Sequence, residues 1–208
     1  MIIQINNFFP ILLQKKILKI ISSPNLAWYH RPSLKNKSFK EIEKICEIDM
    51  NIILGQGFIH TFYDRDTEPE VVDGLDILST FIIHTEKHFD LKITKVLRLQ
   101  ALQVLPYPST DTNYMMPHVD YMFPHKTLLY YVNNTQGDTF IFNEKSDLNS
   151  EEIKVQELYN LTETYSNKTL KEKISPVQGK AVLFNGLYYH AASFPKINNR
   201  YVINFNFL

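Results

Sequence analysis

The chain has 208 residues, of which 44% are apolar, and its 22 basic and 22 acidic side chains give a formal net charge of zero. These values predict one globular domain and exclude global disorder, and they make broad binding to a nucleic-acid backbone unexpected because that requires a basic surface. The single cysteine, Cys46, excludes an intrachain disulfide and a cysteine zinc site, and it favours a reducing, cytoplasmic environment. No apolar run approaches the ~18 residues of a membrane span, so we expect no membrane partner.

The N-terminal part, residues 1–91, is predicted to be rich in helix and to support the rest of the chain. A strand is expected at 1–6, and apolar residues at helical spacing after Pro10 predict a helix that ends at Ser22. The other elements expected here are a short helix at 39–47, a strand at 57–64 and a longer helix at 70–90.

From residue 92 the sequence changes to short aromatic and β-branched runs separated by turn residues, which is typical of an antiparallel sandwich or barrel. A polar stretch at 146–173 interrupts these runs and is predicted to be an insertion or a hairpin, with a lid over the site as the alternative. The predicted fold class is mainly β with N-terminal helices (α+β). It comprises a single domain, 1–208, with a jelly-roll core at 92–208.

Four residues in the second half carry the chemistry. His118 and Asp120 lie two positions apart, so on extended backbone they face the same side and can bind one metal ion. His190 follows the predicted strand KAVLFNG, and two histidines with one carboxylate form the facial triad of non-haem Fe(II) oxygenases. Arg200 opens the last predicted strand and can pair with a carboxylate of a dicarboxylic acid. A His-x-Asp pair alone is weakly specific, but the four residues in this order are much more so.

The surrounding motifs resemble those of the Fe(II)- and 2-oxoglutarate-dependent dioxygenases, specifically the prolyl 4-hydroxylase-like branch. The resemblance implies a double-stranded β-helix (jelly-roll, cupin-like) core, with Fe(II), 2-oxoglutarate and O2 as cofactor and co-substrates. It implies hydroxylation of a C–H bond with release of succinate and CO2. The segments that carry the resemblance are LQVLPYPSTDTNYMMPHVD (102–120), TLLYYVNNTQGDTFIF (127–142), SPVQGKAVLFNGLYYHAASFP (175–195) and NRYVINFNF (199–207).

The same resemblance assigns roles to individual residues. It implies that His118, Asp120 and His190 are the iron ligands. Arg200 takes the place of the basic residue that binds the C5 carboxylate of 2-oxoglutarate, where many prolyl hydroxylases have lysine.

Further co-substrate contacts are implied for Tyr107, which matches a tyrosine that hydrogen-bonds the same carboxylate, and for the hydroxyl of Thr139. Gln136 stands where the family has the first glycine of a pair, a departure that affects only the geometry of a turn. In the last strand, Arg200 and Asn204 share one face by period two, so Asn204 is also expected beside the co-substrate.

Several other residues near the motifs have competing interpretations. Tyr121 and Tyr189 are candidates for lining a substrate pocket, with packing of the sheets as the alternative. His125 is a rival metal ligand, although a structural or substrate-side role is favoured. The pair His84 and His88 has a spacing that can bind zinc, but packing or surface exposure on a helix is favoured, because a zinc protease motif needs Glu between them.

The expected substrate is a prolyl residue in a peptide, an amino acid or another small molecule, and a homodimer is left open. One alternative is a cupin-like metal protein that does not use 2-oxoglutarate. The other is a non-catalytic jelly-roll binding module, which is disfavoured because such a relic should have lost one of His118, Asp120, His190 or Arg200.

Overall fold

The computed structural model describes residues 1–30, 57–65, 67–107, 114–115, 117–146 and 168–208. The predicted helix at 39–47 lies outside these ranges. The described helices are α1 (Ile11–Ile21) and α2 (Ile77–Phe89). The described strands are β1 (Ile2–Ile5), β2 (Tyr29–His30), β3 (Gly57–Asp64), β4 (Val71–Val72), β5 (Leu75–Asp76), β6 (Val96–Val104), β7 (Lys126–Tyr131), β8 (Thr139–Lys145), β9 (Leu170–Ile174), β10 (Ala181–Asn185), β11 (Tyr188–Ala192) and β12 (Arg200–Phe207).

Two antiparallel sheets form the core. The major sheet has seven strands in the order β1-β10-β7-β12-β6-β3-β2, and the minor sheet has three in the order β11-β8-β9. Buried side chains from both sheets, among them Tyr131, Ile141, Phe184 and Val202, form one cluster between them. The predicted mainly-β double sheet with N-terminal helices is therefore confirmed.

The N-terminal part does more than support the core, because it supplies β1, β2 and β3 to the major sheet. Its helices contribute Ile17, Ile20 and Phe81 to an apolar cluster that also contains Phe205 and Phe207 of β12. Burial of these side chains holds the major sheet in place behind the site. Neither of the two described helices, α1 and α2, is long and apolar enough to cross a membrane.

The helix predicted at 70–90 begins later than expected. Residues 71–76 form a small hairpin, β4 and β5, with left-handed backbone at Asp73 (φ 49°) and Gly74 (φ 65°). An Asp-Gly pair with positive φ at both positions favours a two-residue hairpin turn over helix. Asp76 then caps α2, because its Oδ1 accepts the Ser79 backbone N–H at 2.9 Å.

Two strands of the minor sheet were missed by the sequence patterns. The end of the stretch predicted as insertion or hairpin forms β9, which pairs antiparallel with β8, while residues 147–167 lie outside the described ranges. His190 follows the predicted strand KAVLFNG, which is β10, but it lies on a further strand, β11, that was not predicted. Short strands at the edge of a small sheet carry few apolar residues and therefore a weak pattern.

The predicted alternation along β12 is confirmed. Ile203, Phe205 and Phe207 face the cluster beneath the helices, whereas Val202 belongs to the cluster between the sheets. Asn204, two positions from Val202, therefore faces the space between the sheets, as does Arg200. This face positions the polar residues of the site.

Candidate metal centre

The two histidines are brought together by backbone pairing. The N–H of His118 donates to the carbonyl of His190 at 3.0 Å, and the N–H of His190 donates to the carbonyl of His118 at 2.9 Å. The centroids of the two imidazole rings are 4.7 Å apart. The chain thus fixes two candidate ligands, distant in sequence, on facing segments.

Asp120 completes the group. One ligand atom from each of His118, Asp120 and His190 lies within 4.8 Å of the others, and within the described residues these three side chains form the group able to hold a metal. The Nδ1 of His190 is 3.1 Å from the carbonyl of Tyr188, to which it can donate, so Nε2 is left with a lone pair for a metal. Two imidazoles and one carboxylate form a donor set that fits Fe(II).

The carboxylate of Asp120 is held by hydrogen bonds from the major sheet. Its Oδ2 accepts from the amides of Asn204 at 3.1 Å and Asn206 at 2.9 Å, and its Oδ1 accepts from Nη2 of Arg98 at 2.8 Å. Burial alone raises the pKa of the Asp120 carboxyl, but its electrostatic interactions with His190 and then with Arg98 outweigh burial and hold the pKa well below its usual range. Asp120 is therefore an anion ready to bind a cation.

Arg200 is buried (3% exposed) at the start of β12. Its Nη2 donates to Oγ1 of Thr139 at 2.8 Å, and the hydroxyl of Tyr131 donates to the same Oγ1 at 2.8 Å. Nε of Arg200 has no hydrogen-bond partner, and among the described residues no carboxylate lies within ion-pair distance of the guanidinium. A buried cation in this state lacks a counter-ion and indicates a site for an anion.

Gly137 closes one side of this pocket. Its φ is +94°, and a Cβ there would lie 2.8 Å from the carbonyl oxygen of Ser193 and 3.1 Å from Cδ of Arg200. Only glycine suits both the backbone conformation and the close approach. Gln136, the departure from the usual glycine pair, accepts the backbone N–H of Lys196 at 3.1 Å, so its effect stays local to the turn.

No family model and no curated protein matches this sequence. Solved structures do match. A prolyl hydroxylase from Trichoplax adhaerens, solved with a peptide fragment of the hypoxia inducible factor oxygen degradation domain, has 14% identity and a TM-score of 0.60, covering 100% of this chain and 83% of that one. A Pseudomonas putida prolyl-4-hydroxylase has 11% identity and a TM-score of 0.55, covering 100% and 91%.

A third similar structure is the non-haem alpha-ketoglutarate-dependent epimerase SnoN from nogalamycin biosynthesis. It has 10% identity and a TM-score of 0.58, covering 100% of this chain and 78% of that one. The chain has the fold of the 2-oxoglutarate- and Fe(II)-dependent oxygenases. The fold and the His-Asp-His group thus agree with the family resemblance of the motifs.

Within this oxygenase fold, the other residues expected near the co-substrate lie as follows. Oγ1 of Thr139 accepts a hydrogen bond from Arg200. Asn204 contacts Asp120. The ring of Tyr107 packs on Phe194 with centroids 5.3 Å apart. Contact of Thr139, Tyr107 and Asn204 with the co-substrate remains a prediction.

The two tyrosines expected at the substrate pocket occupy different places. Tyr121 directly follows Asp120, is half-buried, and lies 5.6 Å from the guanidinium carbon of Arg98. Tyr189 packs with Phe140 and other residues in a cluster distinct from the one between the sheets. A substrate role remains a prediction for both tyrosines.

The remaining histidines lie outside the group. His125 is buried, and its Nδ1 is 2.8 Å from the carbonyl of Phe123, in keeping with a structural role. His84 and His88 stack on each other with centroids 6.0 Å apart and pack against Phe8, in keeping with packing on a helix.

Two residues of the site, Arg98 and Tyr131, were not found from the sequence, and Asn206, which shares the face of Arg200 by period two, was given no role. Arg98 is the most consequential because it forms an ion pair with a candidate metal ligand. The available signal was a charged residue within the otherwise uncharged strand run VLRLQALQV, which is expensive to bury unless it is paired.

Proposed function

We propose that this chain is an Fe(II)- and 2-oxoglutarate-dependent oxygenase that hydroxylates a C–H bond. The observation that carries the proposal is Arg200. Its buried guanidinium lacks a carboxylate partner among the described residues, and it lies on the same strand and face as Asn204, which contacts Asp120. An anion that also binds a metal is the ligand that satisfies both ends of this pocket.

The spacing of Arg200 and Asn204 along β12 is compatible with a five-carbon dicarboxylate between the guanidinium and the metal ligands. Arg200 and Asn204 are four residues apart on a strand that rises about 3.3 Å per residue, so their Cα atoms are about 13 Å apart. 2-Oxoglutarate together with the arginine side chain can span that separation. Fe(II) with bound 2-oxoglutarate and O2 supplies the oxidation of a C–H bond, with release of succinate and CO2.

Separate residues are proposed to bind the metal and the 2-oxoglutarate. His118, Asp120 and His190 would hold the iron through two imidazole nitrogens and one carboxylate oxygen. Arg200 would bind the C5 carboxylate of 2-oxoglutarate. Oγ1 of Thr139 already accepts hydrogen bonds from Arg200 and Tyr131, so its own hydrogen is free to be donated to the same carboxylate.

Tyr107 is proposed as a further donor to this carboxylate. The substrate would approach on the side where His118 is exposed and Tyr121 lines the surface. We propose a prolyl residue of a peptide, an amino acid or another small molecule as the substrate. A reducing, cytoplasmic location suits this role because it keeps iron as Fe(II).

The alternative of a cupin-like metal protein without 2-oxoglutarate accounts less well for Arg200. Such a protein needs the three metal ligands but has no use for a buried cation on the same face of β12. The non-catalytic alternative likewise leaves unexplained why both His-Asp-His and Arg200 are retained in place.

Succinate formation tests the proposal. Aerobic incubation with Fe(II) and 2-oxoglutarate, against a panel of prolyl peptides and amino acids, should give succinate, with more formed when a substrate is present. Arg200→Ala should reduce the reaction by raising the 2-oxoglutarate requirement, whereas Arg200→Lys should retain part of it because lysine preserves the charge. Absence of succinate from the wild-type protein under all conditions would contradict the proposed activity.

A further inference from the structure

Arg98 of β6 forms an ion pair with the candidate iron ligand Asp120. Its Nη2 is 2.8 Å from Oδ1, and the side chains of Arg98 and Asp120 are 19% and 7% exposed. The same Nη2 lies 3.2 Å from Oδ1 of Asn206, which faces Arg98 across the β6–β12 pair. Arg98 is therefore held in place by the sheet as well as by the carboxylate.

Most of the hydrogen-bond acceptor positions on the Asp120 carboxylate are occupied by donors from the protein itself. An ionised carboxylate offers about four acceptor positions on its two oxygens. Arg98 takes one position on Oδ1, and the amides of Asn204 and Asn206 take two on Oδ2. Oδ2 also faces His190, 3.8 Å from its Nε2, so a metal ion entering between the histidines and Asp120 must share the carboxylate with these donors, of which Arg98 alone carries a charge.

We propose that Arg98 is the resident counter-ion of the iron-binding carboxylate. It neutralises Asp120 in the metal-free protein, and it lowers the affinity for the metal by competing for the same anion. This inference rests on the proposed function, since it takes His118, Asp120 and His190 as the metal ligands.

The electrostatics give two effects of opposite sign. Loss of the guanidinium leaves a buried carboxylate without its partner, which destabilises the metal-free protein. Loss of the same charge removes the repulsion between Arg98 and a divalent cation, which strengthens metal binding. A residue that only orients the ligand would instead weaken metal binding when it is removed.

The test uses Co(II) as the probe and compares the wild type with Arg98→Met, Arg98→Gln and Arg98→Lys. Thermal unfolding of the metal-free protein reports the first effect, and titration followed by visible absorption of bound Co(II) reports the second. In Arg98→Met we expect a lower Tm without metal and Co(II) affinity at least about tenfold higher than in the wild type. Arg98→Lys keeps the charge and should stay close to the wild type in both measurements.

Arg98→Gln removes the charge but keeps an N–H donor for Asp120, so its affinity for Co(II) should also rise. If Arg98→Met does not fold without metal, Arg98→Gln replaces it in the comparison of Co(II) affinities. In that case, added Co(II) should restore the folding of Arg98→Met. Unchanged or weaker Co(II) binding in both neutral variants, with binding by the wild type, would overturn this inference and leave the proposed function intact. Failure of the wild type to bind Co(II) would overturn both.

Discussion

His118 and His190 pair through their backbones, each donating its N–H to the carbonyl of the other at 3.0 and 2.9 Å. The isolated bridge between them joins the segment before β7 to β11 of the minor sheet. Because the backbone makes this pairing, the side chains are not consumed by it. The fold therefore holds the two residues together through their backbones and leaves this pairing independent of the imidazole rings.

Replacing His190 with Gln should separate metal binding from folding. We expect Co(II) affinity to fall by more than the ~10–100-fold that loss of an outer partner costs. The free energy of unfolding of the metal-free protein should fall by no more than about 1–2 kcal/mol, since the backbone bridge remains. Titration measures the Co(II) affinity, and urea unfolding measures the free energy of unfolding.

His30→Gln, at an exposed position on β2, is the control and should change neither quantity. An equal loss of Co(II) affinity in His190→Gln and His30→Gln would argue against His190 as a metal ligand.

Thr139→Val should weaken binding of 2-oxoglutarate with little effect on the maximal rate. The substitution keeps the shape but removes the Oγ1 that accepts from Arg200 and Tyr131. Loss of hydrogen bonds worth about 1–2 kcal/mol predicts a KM for 2-oxoglutarate higher by about tenfold. Thr85→Val is the matched control, because Thr85 is equally buried on α2 and its Oγ1 has no partner. An unchanged KM in Thr139→Val would remove Thr139 from the pocket.

Gly137→Ala should damage the Arg200 pocket. The added Cβ would lie 2.8 Å from the Ser193 carbonyl oxygen and 3.1 Å from Cδ of Arg200, at a φ of +94°. We expect a loss of about 1–3 kcal/mol of stability and a higher KM for 2-oxoglutarate. Gly74→Ala carries left-handed strain at φ +65° but meets no atom within 4 Å. It should lose stability without a change in KM, and a matching KM change in both variants would contradict the close-contact explanation.

Asp76 should make the stability of α2 depend on pH. A hydrogen bond from the Ser79 hydroxyl and then one from its backbone N–H lower the pKa of the Asp76 carboxyl. Since the folded-state pKa is depressed, the contribution is complete above the ordinary value of about 4 and is lost as pH falls from there through the folded-state pKa. Urea unfolding from pH 7 to pH 2 should show this loss.

Two variants separate the charge of Asp76 from its capping role. Asp76→Asn can still cap the helix, so it should retain most of the stability and show a weaker dependence on pH. Asp76→Ala should lose about 1 kcal/mol at pH 7. Identical pH profiles for the wild type and Asp76→Asn would show that Asp76 does not contribute in this way.

The parts of the site predictable from sequence were those encoded locally. His118 and Asp120 share a face because they are two residues apart, and the period of β12 places Asn204 on the face of Arg200. The Asp73-Gly74 turn was also encoded locally, although the apolar spacing around it favoured a longer helix. Local patterns were thus sufficient where one strand or turn fixes the geometry.

The contact between Arg98 and Asp120 could not be predicted from local sequence patterns. Its role depends on the register that sets β6 against β12, which places Arg98 opposite Asn206, and on the loop that carries Asp120 to the same point. No spacing within β6 encodes that contact. His190 is similar, since its place on β11 follows from pairing with β8 across the chain.

We propose that one pocket holds a metal at His118, Asp120 and His190 and 2-oxoglutarate at Arg200. Anaerobic titration with Fe(II) and 2-oxoglutarate, followed by visible absorption, tests it most directly. We expect the weak charge-transfer band of the chelate in the wild type, its loss in His118→Ala and a weaker affinity for 2-oxoglutarate in Arg200→Ala. Absence of the band from the wild-type protein would show that the metal and 2-oxoglutarate do not bind together in this pocket.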